Sequence, residues 1–431
     1  MSPRHFITAA LLATYGLSAA AQSSDAPQDT FLIPERAVVL TGGKEIKFHN
    51  QVGILYSEED LSFNDPRAPR FLFLDREGKV ALGIGGYVKG VAMYDMDGAI
   101  NSTGFTTYDI PVPMNPAQRN RFGADASHST IFLKLAANSE KLGQITVYMQ
   151  TSFTGDDGGY GLALKQAYVQ VGNVTAGKAR STFADGATQA PTIDSEGPSG
   201  QIDKKNILFR YTTPSFKGFK AAASIEVPTA TYSLGDGQNS QSIAQRFPDI
   251  PAYIQYGWDG GDSHVRLSGI YRRLSYRNLV ESKNCWASGW GVHLSTISNI
   301  AAGFQFYGHI AYGKGITSYL NDLEGDGYDL IPTNTPGELR APKSMGWAAG
   351  IIYNASDKLM MSAGYSQAHM YGTQILGPDS YKNAGYAVAN VFYNLTPDFQ
   401  IGAEYLHGIR RDINNLSGHA NRLEVSMQYS F

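Results

Sequence analysis

The chain beyond residue 80 is dominated by alternation of apolar and polar residues. In the segment 219–227 the odd positions are apolar, and the even positions carry Lys220, Ser224 and Glu226. The C-terminal segment alternates in the same way, setting Leu423 and Val425 against Arg422 and Glu424. Helical three–four spacing is hard to find in this region. A period of two predicts β-strands with one apolar face.

The alternation predicts about sixteen strands, most of them long enough to cross a bilayer when tilted. We place them at roughly 79–95, 121–136, 143–154, 161–172, 173–182, 204–213, 219–228, 251–259, 263–274, 286–297, 300–313, 344–354, 357–369, 381–394, 398–408 and 419–431.

Long and short connections alternate between these strands. The short ones include 214–218, 260–262, 298–299, 355–356 and 395–397, and the long ones are 96–120, 155–160, 183–203, 229–250, 275–285, 314–343, 370–380 and 409–418. Long loops at one end and tight turns at the other are typical of outer-membrane barrels. A soluble β-sandwich has no reason for this regularity, and no repeat of propeller-blade length is visible. The pattern predicts an all-β, transmembrane antiparallel β-barrel.

Aromatic residues support the membrane assignment, because barrels carry aromatic girdles at both interfaces. The chain ends in Phe431, a terminal aromatic residue of the kind that the barrel assembly machinery is expected to recognise. Tyrosine and tryptophan also cluster at predicted strand ends, at Tyr87, Tyr94, Tyr253, Tyr256, Trp258, Trp286, Trp290, Tyr307, Tyr312, Tyr386 and Tyr393.

The N-terminal region divides into two segments before the barrel. Residues 1–21 have the polar start, the apolar stretch and the small residues (Ala19 to Ala21) of a cleaved signal peptide. Residues 22–70 mix prolines and charges with two short apolar runs, which predicts a periplasmic extension or a partial plug. The barrel is expected to occupy residues 71–431. Such export predicts the outer membrane of a Gram-negative cell, with its lipid and lipopolysaccharide as surroundings.

Composition is consistent with a barrel and narrows the possible partners. Charged residues make up 17% of the chain, and its mean hydropathy is −0.24. No later stretch approaches the roughly 18 apolar residues of a transmembrane helix. The formal net charge of −3 is too small to indicate nucleic acid as a partner. A single cysteine, Cys285, excludes an intramolecular disulfide.

Motifs of enzymes and of cofactor sites are absent. There is no G-x-S-x-G, no complete G-x-G-x-x-G and no H-E-x-x-H, and the nine histidines are scattered. We therefore predict no catalytic residues, no cofactor and no metal. Asp322, Glu324, Asp326 and Asp329 could bind calcium weakly, although a solvated acidic loop is the simpler interpretation.

The candidate functional residues of a channel are those that face its lumen. A charge facing lipid near the bilayer midplane costs about 2–4 kcal/mol, so strand cations should point inward unless they lie in water at the rims. This predicts a basic arc of Lys89, Lys134, Lys178, Arg180, Arg210, Lys220, Arg266, Arg272 and Arg422. Such an arc would attract anions.

The third long loop, 183–203, is predicted to fold inward as a constriction. It follows the strand that carries Lys178 and Arg180, and it contains Asp185, Asp194 and Glu196. An acidic loop opposite basic strands would set a transverse electric field. The alternative is a loop that lies outside on the surface.

Four segments give the chain a resemblance to a known family. They are GGYVKGVAMYDMDG (85–98), RFGADASHSTIFLKL (121–135), KQAYVQVGN followed by GKARSTFADG (165–186), and GPSGQIDKKNILFRYT (197–212). In these segments the chain resembles the DcaP-like porins, trimeric channels of sixteen strands associated with dicarboxylate uptake. The resemblance implies a homotrimer and an anion path lined by Lys89, Arg121, Lys165, Arg180 and Arg210. Ala163 and Ala179 stand where larger or more polar residues are expected.

The resulting hypothesis is a porin for passive diffusion of small hydrophilic solutes, favouring anions such as dicarboxylates. Alternatives with the same fold are a non-selective diffusion porin, a barrel enzyme such as a phospholipase or protease, and a plugged adhesin. Ion preference and conductance distinguish them.

Overall fold

The computed structural model describes residues 37–41, 50–56, 68–75, 79–100, 103–155, 160–234 and 239–431. The predicted signal peptide, residues 1–21, lies outside the described residues, as does much of the segment 22–70. No helix in the described ranges is long and apolar enough to cross a membrane.

Three short elements precede the barrel. Strand β1 (Val38–Thr41) pairs in parallel with β2 (Phe71–Leu74), and helix α1 (Asn50–Tyr56) lies between them in the chain. Strand β2 pairs with residues 81–84 of the first wall strand, β3 (Val80–Asp97). The expected start of the barrel at residue 71, which is the first residue of β2, stays a prediction.

The remaining strands follow β3 with short interruptions. In chain order they are β4 (Arg121–Asp125), β5 (Thr130–Ser139), β6 (Gly143–Gly155), β7 (Gly161–Val171), β8 (Val174–Arg180), β9 (Lys205–Thr212), β10 (Phe219–Glu226), β11 (Ser240–Ser242), β12 (Ile250–Trp258), β13 (Ser263–Asn278), β14 (Lys283–Ala301), β15 (Phe304–Lys314), β16 (Ile331–Pro332), β17 (Leu339–Arg340), β18 (Lys343–Asn354), β19 (Leu359–Tyr371), β20 (Tyr381–Thr396), β21 (Phe399–Asp412) and β22 (Ser417–Ser430). Short 3-10 helices lie at Thr107–Asp109, Gly186–Thr188, Asp259–Gly261, Thr317–Tyr319, Asn321–Leu323 and Gln374–Leu376.

The wall is a closed antiparallel barrel of 16 strands, as predicted. Strands β4 and β5 both pair with β3 and form one crossing, interrupted at residues 126–129. Strand β11 is a short addition beside β13, and β16 and β17 form a hairpin apart from the wall. Pairing of β22 with β3 closes the barrel, and Phe431 and Gly86 exchange two backbone hydrogen bonds of 2.9 Å at the seam.

The predicted alternation is realised in the burial of the strand side chains. On β22, Met427 is 60% exposed on the outer face, whereas Glu424 is 1% exposed on the inner face. The same parity extends through the neighbouring strands, because cross-strand partners share a face. An apolar exterior and a polar interior are what a membrane barrel requires.

Several predicted boundaries differ from the structure. Strand β13 ends at Asn278 and strand β14 begins at Lys283, so the connection that was expected to be a long loop at 275–285 is short. The turn expected at 298–299 lies at 302–303, where Gly303 has a φ of +77°. Two predicted girdle residues, Tyr307 and Tyr386, are each 1% exposed and lie on the inner face.

Candidate functional site

The loop between β8 and β9 folds into the barrel, as predicted, and it is fixed at its base by buried polar contacts. Thr182 donates its backbone N–H to Glu226 Oε1 at 2.8 Å, and the Phe183 carbonyl lies 2.9 Å from His293 Nδ1. Phe183 itself is fully buried, with its ring at right angles to that of Tyr319. The chain thus leaves the wall at Arg180 and turns directly toward the lumen.

Asp185 fixes the first part of this constriction loop. Its Oδ2 accepts hydrogen bonds from His264 Nε2 at 2.8 Å and from Ser295 Oγ at 2.6 Å, and Arg266 Nη1 lies 3.4 Å from Oδ1. Burial raises the pKa of Asp185, but the charge of Arg266 and the two hydrogen bonds outweigh it and hold the pKa below its ordinary range. The carboxylate is therefore ionised and internally paired.

Strands β20 and β21 hold the middle of the loop, whereas β13 and β14 hold its first part at Asp185. Both oxygens of Glu404 accept loop backbone N–H groups, those of Ile193 and Asp194, each at 2.8 Å. Asn390 Nδ2 donates to the Pro191 carbonyl at 2.7 Å. The loop therefore crosses the lumen. We did not single out Glu404 from the sequence, although a carboxylate at an inward strand position was a usable signal.

Asp194 organises the turn of the loop rather than facing the pore. Its two oxygens accept the backbone N–H groups of Phe105 (2.8 Å), Glu196 (3.1 Å) and Gly197 (2.9 Å), and the hydroxyl of Tyr386 (2.9 Å). Only 3% of the residue is exposed. Asp185 and Asp194 both bind donors within the protein, and the transverse field expected from the loop acids stays a prediction.

The returning part of the loop lies against the backbone of β18 and β19. Gly200 donates its N–H to Ser366 Oγ at 2.8 Å. A Cβ at this position would lie 2.1 Å from the Gln367 carbonyl oxygen and 2.5 Å from Trp347 N. Glycine is thus required here for the close approach of two backbones.

Glu196 is the loop acid without an assigned internal partner. Its backbone contacts Asp194 and Asn321, but its carboxyl group accepts no hydrogen bond within the described residues. Burial, followed by the nearby carboxylates of Asp194 and Asp322, raises the pKa of Glu196 to about 8. Glu196 is therefore mostly neutral near pH 7.

Two further loops fill the barrel beside the constriction loop, and the sequence did not predict them to do so. Leu320, Leu323 and Ile331 of the loop 315–342 are buried against Phe183 and Ile202. Phe105 and Ile110 of the loop 98–120 pack against inward residues of β20, β21 and β22.

Two acidic residues of the loop 315–342 are likewise turned inward. Asp322 accepts hydrogen bonds from Thr107 Oγ1 at 2.6 Å and Tyr381 Oη at 2.9 Å. Asp329 lies 3.2 Å from Arg272, which also pairs with Asp249 at 3.1 Å. The interpretation as a solvated acidic loop is therefore wrong for these two residues, whereas Glu324 is exposed.

The predicted pore cations fall into two groups. Some hold other loops or the N-terminal helix in place, and others lie at the constriction loop. Arg272 and Arg422 are fully buried, and Arg422 pairs with Asp95 at 2.7 Å. Lys134 is 6% exposed and donates to the Leu55 carbonyl of α1 at 3.2 Å. Arg121 donates to the Ile100 carbonyl at 2.6 Å. These four residues support loops or the N-terminal helix.

Lys178 differs from its predicted inward orientation. It pairs across β8 and β9 with Ile207, which is 59% exposed on the outer face, and its Nζ donates to the Leu164 carbonyl at 2.7 Å. Strand β8 is rich in small residues, so its own alternation does not indicate which face is apolar. The cross-strand partners decide the orientation.

The other predicted pore cations lie at the constriction loop. Lys89 Nζ donates to the Ile193 carbonyl at 2.9 Å, Arg180 Nη1 pairs with Asp203 at 2.6 Å, and Arg210 Nη1 donates to the Arg180 carbonyl at 3.3 Å. Lys165 occupies a bulge of β7 opposite Gln150, and it makes no hydrogen bond or ion pair in the described part of the chain.

Comparisons with known proteins agree with this architecture. The model of the porin subfamily matches residues 84–425. The chain is similar to the outer membrane channel DcaP of Acinetobacter baumannii, with a TM-score of 0.71 and 20% identity over 83% of this chain and 99% of that one.

Two further solved structures share the fold. An anion-selective porin from Comamonas acidovorans has a TM-score of 0.54 and 12% identity, over 82% of this chain and all (100%) of that one. OmpF of Salmonella typhi, in complex with daunomycin, has a TM-score of 0.54 and 10% identity, over 81% and 98%. A search of curated proteins finds no match.

Proposed function

Because the chain belongs to the porin subfamily, we propose that it is a porin that favours small anions, dicarboxylates among them. The family and the fold identify a diffusion channel of the Gram-negative outer membrane and not an enzyme. The proposal concerns the ion preference, the solute and the assembly.

The observation that carries the anion preference is an excess of cations where β7, β8 and β9 meet the constriction loop. Two carboxylates there, those of Asp203 and Glu324, pair with cations, while Glu196 is mostly neutral. The cations number four, namely Lys165, Arg180, Lys204 and Lys205. The acids of the loop itself, Asp185 and Asp194, bind internal donors. The uncompensated charge at this side of the lumen is therefore positive, which raises the local anion concentration.

A second cation in the neighbourhood of Lys89 supports a dicarboxylate. Lys89 and Lys165 both act electrostatically on His128. Two cations near one side chain can each attract one carboxylate of the same solute. The anion-selective porin from Comamonas acidovorans indicates that this fold is compatible with such a preference.

The test is the reversal potential of the refolded channel in a planar bilayer under a KCl gradient. We expect an anion-favouring potential that falls in Lys165→Gln, and a dicarboxylate block that weakens with it. Lys178→Gln is the matched control, since it removes the same charge from the outer face. A wild-type potential of zero would favour the non-selective porin, and a folded barrel without openings would favour the plugged barrel.

Assembly as a homotrimer is supported by the shortest part of the wall. Strands β8, β9 and β10 have 7, 8 and 8 residues, fewer than the roughly 9–11 of a strand that crosses a bilayer alone. Phe209 and Ile225 are each 54% exposed on this face. Packing against other subunits would cover it. Native mass spectrometry should give a trimer that Phe209→Lys dissociates, and a monomeric wild type would contradict the proposal.

We assign residues 22–70 to a partial plug. Val52 and Leu55 of α1 pack with Ala81 and Ala136, which face inward on β3 and β5. Deleting residues 22–70 should raise the conductance, and an unchanged conductance would favour an extension outside the pore.

Phe431 is the proposed signal for the barrel assembly machinery. Its backbone closes the seam with Gly86 only in the finished barrel, so the residue is available during assembly. Removal of Phe431 should lower the yield of assembled channel in cells more than the yield of refolding in vitro. Equal losses would indicate a purely structural role.

A further inference from the structure

Two lysines stand directly opposite one another on the outer face of the barrel. Lys314 is the last residue of β15, Lys343 is the first residue of β18, and the two are cross-strand partners. Side chains at such positions have Cβ atoms about 4.5–5.5 Å apart, and like charges there are destabilising. A pair of this kind needs a compensating anion.

No such anion is supplied by the described part of the chain. Neither lysine side chain takes part in an ion pair or a hydrogen bond there, and Lys343 is exposed. A third cation, Arg340, lies three residues before Lys343, and its guanidinium donates to the Gly372 carbonyl next to Tyr371. The local charge is therefore positive and uncompensated.

Aromatic side chains border this cation pair at the level of a membrane interface. One row of paired residues runs across five strands on the outer face, through Tyr271, Trp290, Lys314, Lys343 and Tyr371. Tyr312 lies beside the row, with its ring 6.0 Å from that of Trp290 and 6.4 Å from that of Tyr371. Tryptophan and tyrosine mark the headgroup level of a bilayer.

The position along the strands identifies which leaflet this is. Both lysines adjoin the long loop 315–342, and long loops of outer-membrane barrels are extracellular. The pair also lies several strands away from the short wall at β8 to β10, so the proposed trimer contact leaves it facing lipid. The lipid of the outer leaflet is lipopolysaccharide, whose lipid A anchor carries phosphate groups.

We propose that Lys314 and Lys343 form a binding site for a lipid A phosphate, with Arg340 at its edge and Trp290, Tyr312 and Tyr371 against the acyl chains. A phosphate bridging the two ammonium groups removes their repulsion, and charge-assisted hydrogen bonds to phosphate are strong. The aromatic rings beneath then provide apolar contact at the depth where the acyl chains begin.

Binding of lipid A to the refolded full-length channel in detergent, measured by native mass spectrometry, tests this site. We expect Lys314→Gln/Lys343→Gln to weaken binding about 30-fold. The matched control is Lys141→Gln/Lys358→Gln, which removes the same charge from the short turns at the opposite end. Wild-type conductance and heat-dependent migration of both variants would show that the barrels are intact.

Four outcomes would overturn the proposal. Lipid A binding equal to wild type in the rim variant would mean that the lysines do not hold it. Equal loss in the control variant would indicate general charge attraction. Inorganic phosphate competing as strongly as lipid A, or dephosphorylated lipid A binding as tightly, would show that the site does not recognise a phosphorylated lipid.

Discussion

Glu404 holds the far side of the constriction loop, and its removal should loosen the loop without unfolding the barrel. Each carboxylate oxygen accepts one loop N–H at 2.8 Å, and Oε2 also accepts Asn390 Nδ2 at 2.8 Å. A hydrogen bond contributes about 0.5–1.5 kcal/mol net, so the two loop bonds amount to about 1–3 kcal/mol. At 1.4 kcal/mol per factor of ten, Glu404→Ala should populate the detached loop about 5- to 150-fold more.

Detachment of the loop is measurable as a change in single-channel conductance and in the size limit for solutes. The anchor at Asp185 remains, so the segment around Ile193 should move while the base of the loop stays in place. Single-channel recordings of Glu404→Ala should show a larger and noisier conductance, and liposome swelling should admit larger sugars. Glu404→Gln keeps one acceptor and should be intermediate. An unchanged conductance, noise level and size limit in a folded Glu404→Ala barrel would refute the clamp.

Three other perturbations test separate parts of the site. Burial keeps Glu196 neutral below a pKa of about 8, so raising the pH from 6 to 9 adds a negative charge at the loop and should reduce anion preference in reversal potentials; a flat wild-type profile, or an equal slope in Glu196→Gln, would contradict this. Gly200→Ala cannot fit its Cβ beside the β19 backbone, so the conductance should change and the unfolding temperature should fall. Ser199→Ala, the control, should leave the loop in place. A wild-type unfolding temperature in Gly200→Ala would count against the close approach of the two backbones. Arg272→Met leaves two buried carboxylates unpaired and should lower the free energy of unfolding in denaturant by about 3–5 kcal/mol. A loss below about 1 kcal/mol, or one equal to that of the outer-face control Arg273→Met, would show that the ion pairs of Arg272 are dispensable.

The barrel was predictable because its period-two signal depends on physics local to each strand. A strand between lipid and lumen must alternate, so β20, β21 and β22 could be located to within a few residues from the alternation alone. Where a strand lacks bulky residues the signal fails. In β8 the alternating positions around Lys178 are small, and the outward orientation follows only from its partner Ile207 on another strand.

The loop contacts could not be predicted, because they join residues far apart in the chain. Asp185 meets His264 and Ser295, and Glu404 meets Ile193, through pairings that depend on the closed barrel. From the sequence, the acids of the loop 183–203 were interpreted as charges facing the pore. Burial inside a narrow lumen instead favours carboxylates that bind donors within the protein, because a buried carboxylate is stable only when several donors surround it.

Whether a lumenal charge is paired or unpaired determines how far it can control selectivity. Arg272 lies on an inward strand position and is shared between two carboxylates, whereas Lys165, in the bulge of β7, makes no ion pair in the described part of the chain. The field of a paired ion largely cancels beyond its partner, whereas an unpaired cation keeps its attraction for solutes. Arg272→Met should therefore mainly lower stability, and Lys165→Gln should mainly change the reversal potential. Comparable selectivity changes in both variants would mean that total lumenal charge, rather than the unpaired charge, sets the preference.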